Sequence, residues 1–147
     1  MKIRCFLFED DERVRALLLQ ILESRGYEVL SFSDPELCPM YGASACPCNP
    51  EETCGDIIIS DVKMPNVTGL GFVDRQKEIG CKINNVALIS GAWSDFDLEH
   101  AQKLGCKTFQ KPFILDELNE WLNECEKGVD PNRILRNWFQ EMIPESW

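Results

Sequence analysis

Residues 2–8, KIRCFLF, are strand-like and run into four acids, Glu9, Asp10, Asp11 and Glu12. Val14, Leu17, Leu18, Ile21 and Leu22 then recur at i, i+3, i+4, i+7 and i+8, the stripe of an amphipathic helix, which Gly26 is placed to end. Tyr27 to Phe32 reads as a second short strand. Asp56 to Ser60, with three consecutive isoleucines, has the unbroken apolar run of a strand buried on both faces. A loop, MPNVTG, leads to a helix near 70–78, a buried strand at Val86–Ile89, a helix near 95–103 and a short strand near 106–110. The helix near 114–126 carries Leu115, Leu118, Trp121, Leu122 and Cys125 along one side. After a break at Gly128–Pro131, the spacing predicts a last helix bearing Ile134, Leu135, Trp138, Phe139, Met142 and Ile143.

Strands alternating with helices predict an α/β fold, a doubly wound five-stranded parallel sheet with helices on both faces, five or six in all. Residues 33–55 interrupt the rhythm. Pro35, Pro39, Pro47 and Pro50 forbid a regular helix there, so a Cys/Pro-rich loop replaces the second helix. The expected organisation is one domain over 1–127, containing the 33–55 insertion, and a helical extension over 128–147 too short to be a second domain.

Charge narrows the partners. Fifteen Lys and Arg against 25 Asp and Glu give a net charge of −10, which opposes direct binding to nucleic acid or an anionic membrane. The N-terminus does not read as a signal peptide and no apolar stretch is long enough to span a bilayer, so a cytoplasmic location is expected. In a reducing compartment the eight cysteines are expected as free thiols or metal ligands.

In an open parallel sheet, functional residues gather at the carboxyl ends of the strands. Here those ends carry Glu9, Asp10 and Asp11, then Asp61, then Ser90 and Gly91, then Lys111 and Pro112. Carboxylates sharing one cleft repel, and a hard divalent cation with oxygen ligands relieves this. Mg²⁺ suits one or two carboxylates plus waters and phosphate oxygens. A carboxylate beside Mg²⁺ can attack phosphorus and form an aspartyl phosphate. Lys111 would supply the neutralising cation and Ser90 a hydroxyl. Taken singly, each is also an ordinary polar residue at a strand end. It is the compatible set that carries the reading.

FEDDERVR, DIIISDVKMPNVTG, LISGAWS and FQKPF occur in that order, and over roughly residues 2–126 the chain resembles the receiver domain of bacterial two-component response regulators. The resemblance implies Glu9, Asp10 and Asp61 as Mg²⁺ ligands, with the backbone carbonyl of Lys63. It implies Asp61 as the phosphoacceptor, attacking a phosphohistidine on a histidine kinase or phosphotransfer protein. It also implies Ser90 and Lys111 as phosphoryl-binding groups, and a cis bond at Lys111-Pro112. Such a protein is a signalling module, not an enzyme, although it catalyses its own phosphorylation and dephosphorylation. With no DNA-binding domain in these residues, its output would pass to a protein effector.

The chain departs from the family in three places. The interval from Asp10 to Asp61 is longer than the family usually has. It holds Cys38, Cys46, Cys48 and Cys54 as C-x7-C-x-C-x5-C, enough thiolates for a tetrahedral Zn²⁺ or an iron–sulfur cluster, or else a loop with buried or incidental thiols. The family's aromatic three positions before the Lys is Thr108 here, and Phe109 reads as core. The last apolar helix would pack back on the domain or form a homodimer or partner surface. His100 reads as a helix-surface residue without a second ligand beside it, and Trp93 falls in the loop after Ser90.

Two other functions are consistent with parts of the sequence. One is a metal- or redox-sensing interaction protein that keeps the receiver scaffold and works through the Cys cluster. The other is a haloacid-dehalogenase-like phosphatase acting through an aspartyl phosphate. That class begins with D-x-D after the first strand, whereas here the order is Glu9-Asp10-Asp11-Glu12 and the acceptor-like Asp61 comes much later.

Overall fold

The computed structural model describes residues 1–42 and 44–137. In chain order the elements are β1 (Arg4–Phe8), α1 (Glu12–Ser24), β2 (Glu28–Phe32), β3 (Glu52–Thr53), β4 (Ile57–Asp61), α2 (Gly69–Glu78), β5 (Asn85–Ser90), α3 (Asp95–Lys103), β6 (Lys107–Gln110), α4 (Leu115–Gly128) and β7 (Ile134–Leu135). The five longer strands form one parallel sheet in the order β2-β1-β4-β5-β6. This is the doubly wound flavodoxin-like architecture that the alternation predicts.

Every residue of β1 and β4 is buried, because successive side chains point to opposite faces and both faces are covered. On one face Cys5, Leu7, Ile57 and Ile59 pack with Leu18 and Leu22 of α1 and with Leu118 and Leu122 of α4. On the other, Phe6, Phe8, Ile58 and Leu88 pack with Phe72 and Val73 of α2 and Ala101 of α3. The chain reverses its direction of travel across the sheet between β1 and β4. That switch opens a crevice at their carboxyl ends, bounded by Glu9 and Asp61. Asp11 does not enter it. It caps α1, its side chain accepting from the Arg13 and Val14 amides. Gly26 stands just past the end of α1 at φ +81°, where an L side chain would be strained.

The described residues of the 33–55 segment form no α-helix. Asp34 caps a single 3-10 turn, Pro35–Leu37, and the other described residues are irregular up to β3. The loop still does the work of a helix on the α2–α3 face. Cys38, Met40 and Cys54 are buried in that core, with Tyr41 packed against it. Gln76 of α2 donates to the Met40 sulfur, and the Arg75 guanidinium lies over the Tyr41 ring.

One sequence expectation fails here. Among the described residues there are four α-helices. Ile134 and Leu135 are not helical: they form β7 and pair in parallel with Glu52 and Thr53 of β3. Trp138, Phe139, Met142 and Ile143, expected on the same helix, lie outside the described residues. The strand is favoured because the segment is anchored on both sides of it. Arg133 makes a bidentate contact with Asp56, Nε to Oδ1 and Nη2 to Oδ2, each 2.6 Å. Arg136 donates to Pro47 O and Glu52 Oε1. With both arginines aimed at the insertion and the start of β4, the backbone between them runs extended.

Candidate functional site

β1 ends at Phe8, so Glu9 turns into the crevice with only 1 % of its surface exposed, while Asp10 beside it is exposed. Asp61 is the last residue of β4 and 7 % exposed. Glu9, Asp10 and Asp61 each offer an oxygen within 4.8 Å of the others. The three acids named from the sequence are therefore brought together. Lys111, just past the end of β6, reaches back across the same carboxyl edge. Its Nζ donates to Glu9 Oε1 at 2.6 Å and to Asp61 Oδ2 at 2.9 Å. The Lys111-Pro112 bond is cis.

One lysine does not balance this site. Burial, then the adjacent Asp61 carboxyl, push the Glu9 carboxyl up to about 8, against the opposing pull of Lys111. Burial alone would lower Lys111, but its hydrogen bonds and charge contacts with Glu9 and Asp61 outweigh this and hold it raised. Glu9 Oε2 is buried and meets no donor. An acceptor without a donor, inside a carboxylate trio, fits a bound cation. Octahedral Mg²⁺ at about 2.0–2.1 Å holds its oxygen ligands ~3–4.2 Å apart, a spread these side chains can meet.

The remaining site residues surround Asp61. Lys63 N donates to Asp61 Oδ1 at 3.2 Å, which turns the chain after β4 back over the carboxylate. Ser90 is 1 % exposed. Its hydroxyl accepts from Ala92 N at 3.1 Å, and its carbonyl accepts from Lys111 N at 2.8 Å, so β5 and β6 are tied together next to Asp61. Gly69 opens α2 directly beneath Asp61. A Cβ there would stand 2.3 Å from the Asp61 carbonyl oxygen, so only glycine lets α2 approach. Trp93 bridges the loop after β5 to β6, its indole donating to Phe109 O at 2.9 Å. Phe109 is core, 3 % exposed and edge-on to Trp121. His100 does have a neighbour: Nε2 lies 3.0 Å from Asp74 Oδ1, joining α3 to α2.

The cysteine expectation needs a correction. Cys46, Cys48 and Cys54 bring their sulfurs within 4.8 Å of one another, but Cys38 is not with them. The Cys38 sulfur instead accepts from Met40 N at 3.4 Å, as part of the turn that buries Met40. Sequence reading missed Cys81, whose thiol makes a side-chain hydrogen-bond contact with Cys54. No local signal marks it, since 27 residues separate the two in the chain.

A parallel α/β sheet with three acids, a hydroxyl and a lysine around its switch point has the layout of the open α/β folds, whose ligands bind outside the carboxyl ends of the strands. The family model for the response regulator receiver domain matches residues 5–123, and the chain belongs to that family. It is 30 % identical over 124 residues to the response regulator receiver protein CpdR of Brucella abortus, covering 84 % of this chain and 94 % of the relative. It is 25 % identical over 122 residues to sporulation initiation phosphotransferase F of Bacillus subtilis, covering 82 % and 90 %. Among solved structures, the N-terminal domain of an uncharacterized protein from Wolinella succinogenes superposes with a TM-score of 0.70 at 28 % identity, covering 85 % of this chain and 94 % of that one. The chemotaxis protein CheY4 of Vibrio cholerae shares the fold, with a TM-score of 0.66 at 23 % identity over 85 % and 99 %. Receiver domains are signalling modules of two-component systems. No described helix is long and apolar enough to cross a membrane.

Proposed function

We propose that this chain accepts a phosphoryl group on Asp61 from a phosphohistidine of a histidine kinase or phosphotransfer protein, and signals through protein contacts. The observation that carries the reading is Lys111 Nζ held between Glu9 and Asp61, with Asp10 in reach of both. In the transfer an Asp61 carboxylate oxygen forms the new P–O bond as the P–N bond to histidine breaks, and the imidazole nitrogen leaves with the bonding pair. Negative charge on the phosphoryl oxygens is met by Lys111, which can exchange Asp61 Oδ2 for a phosphoryl oxygen while keeping Glu9. Ser90, buried beside β6, would donate its hydroxyl to the same oxygens. Mg²⁺, when bound by Glu9, Asp10, Asp61 and the Lys63 carbonyl, supplies further charge neutralisation. The protein catalyses its own labelling, so a small acyl phosphate should serve as donor.

Acetyl phosphate with Mg²⁺ is expected to add one phosphoryl group, read by intact mass, with chelator preventing it. Asp10→Ala removes one of three cation-binding carboxylates and is expected to cut both Mg²⁺ affinity and labelling. Unchanged Mg²⁺ affinity in that variant would remove Asp10 from the site.

The donor protein has a surface to rest on. An apolar groove lined by Val14, Leu17, Ile21, Lys111, Pro112, Phe113 and Leu115 opens beside the site, and Leu17 and Leu115 are about half exposed. In this reading a partner carrying phosphohistidine approaches Asp61 across this rim, and α1 offers it apolar contact. Leu17→Glu is expected to slow transfer from a phosphodonor protein while leaving labelling by acetyl phosphate unchanged. Equal loss with both donors would show damage to the site and not to docking.

A further inference from the structure

We propose that Cys46, Cys48, Cys54 and Cys81 bind one Zn²⁺ ion as a tetrathiolate centre that staples the 33–55 insertion to the end of α2. The proposal is independent of the phosphoacceptor reading. Its first support is convergence. Three sulfurs from an irregular loop lie within 4.8 Å of one another, and tetrahedral Zn²⁺ at about 2.3 Å from each sulfur places them ~3.8 Å apart. Cys48 and Cys54 are 3.1 Å apart, too far for a disulfide bond at about 2.05 Å. Cys81 meets Cys54 from outside this trio and is assigned as the fourth ligand, its sulfur closing on the other two when the ion binds. Cys38 is spent on its own turn.

The second support is the way the surroundings are built. Cys81 follows the turn that ends α2, and its amide donates to Gln76 O. The Cys46 amide donates to Ile79 O at 2.7 Å, so the loop already meets the end of α2 beside the thiols. Zn²⁺ with four thiolates carries a net charge of −2. Two cations cap the stretch between Cys46 and Cys54: Lys82 Nζ donates to Asn49 O and Glu52 O, and Arg136 Nη1 donates to Pro47 O. In a chain of net charge −10, cations on this acid-bearing loop are what such a centre needs for balance. Binding converts four thiols to thiolates and releases their protons to solvent, so affinity rises with pH.

The test is elemental analysis and native thiol titration on the full chain purified without chelator, followed by Co²⁺ substitution. One Zn²⁺ per chain is expected, with intense visible absorption from tetrahedral Co²⁺ bound by sulfur. Cys81→Ser should lose the metal, and Cys38→Ser should keep it near one per chain. Zinc near zero with freely reactive thiols, iron with sulfide in place of zinc, or an oxidised Cys48–Cys54 pair would each overturn the proposal. Full metal in Cys81→Ser, or its loss in Cys38→Ser, would overturn the ligand set. Should Cys81→Ser fail to fold, the Co²⁺ spectrum of the unmodified chain still distinguishes four sulfur ligands from three.

Discussion

Asp61→Asn is expected to reduce phosphoryl incorporation from acetyl phosphate or from a phosphohistidine donor to background, with the fold unchanged. The amide keeps the shape of the carboxylate, and its oxygen can still accept from Lys63 N, now 3.2 Å from Asp61 Oδ1. What it lacks is a nucleophilic anionic oxygen. Lys111→Ala should keep the nucleophile and lose the cation that meets phosphoryl charge, slowing labelling by about 10²–10³-fold, the usual consequence of deleting one donor aimed at developing charge. That variant also leaves Glu9 and Asp61 buried together without their shared partner, so its residual labelling should depend more steeply on Mg²⁺. Intact mass and circular dichroism read both variants. A phosphoryl group still added to Asp61→Asn would move the acceptor to another acid.

The largest expected effect on stability lies away from this site, at Arg133. Its guanidinium meets both oxygens of Asp56, whose side chain is 3 % exposed, and also donates to Lys2 O at 2.6 Å. Asp56 otherwise receives the Arg4 amide at 2.9 Å. Arg133→Ala therefore leaves a buried carboxylate with one neutral donor. Removing one partner of a buried pair typically costs about 3–5 kcal/mol. Because Arg133 keeps some solvent contact and Asp56 keeps the Arg4 amide, a loss of about 3 kcal/mol is expected, at the low end of that range. For a chain of this size that is a drop of roughly 6–12 °C in Tm. The double variant Arg133→Ala/Asp56→Ala should recover part of the loss, since no charge is then stranded. Thermal or urea unfolding measures this. A change under about 1 kcal/mol, the range of an exposed pair, would mean the contact is solvent-screened in solution.

This pair also explains why Ile134 and Leu135 form a strand where the local pattern predicts a helix. Ile134 and Leu135 have the spacing of a helix with the apolar residues that follow, and local pattern favours that reading. Arg133 to Asp56 and Arg136 to Glu52 span 77 and 84 residues of chain. No periodicity reports contacts of that range, and they override local propensity.

Most of the candidate site was legible in the sequence for a physical reason. In a parallel sheet each strand is a buried apolar run whose carboxyl end opens on one edge, so the polar residues that follow Phe8, Ile59, Ile89 and Phe109, with Glu9, Asp61, Ser90 and Lys111 among them, could be assigned to one rim from pattern alone. The same pattern placed Phe109 in the core. It could not tell Asp11, which caps α1, from Asp10, which faces Glu9 and Asp61, because that depends on where the helix starts. It excluded a helix over 33–55, since proline chemistry is local, but it could not show that Met40 and Cys38 bury themselves where a helix would have packed. The thiol cluster marks the boundary most sharply. Spacing nominated four cysteines of one loop, whereas the fold turns Cys38 to the Met40 amide and sets Cys81, from the far end of α2, against Cys54. Which sulfurs meet is decided by how the loop lies on α2, and that is a property of packing, not of order along the chain.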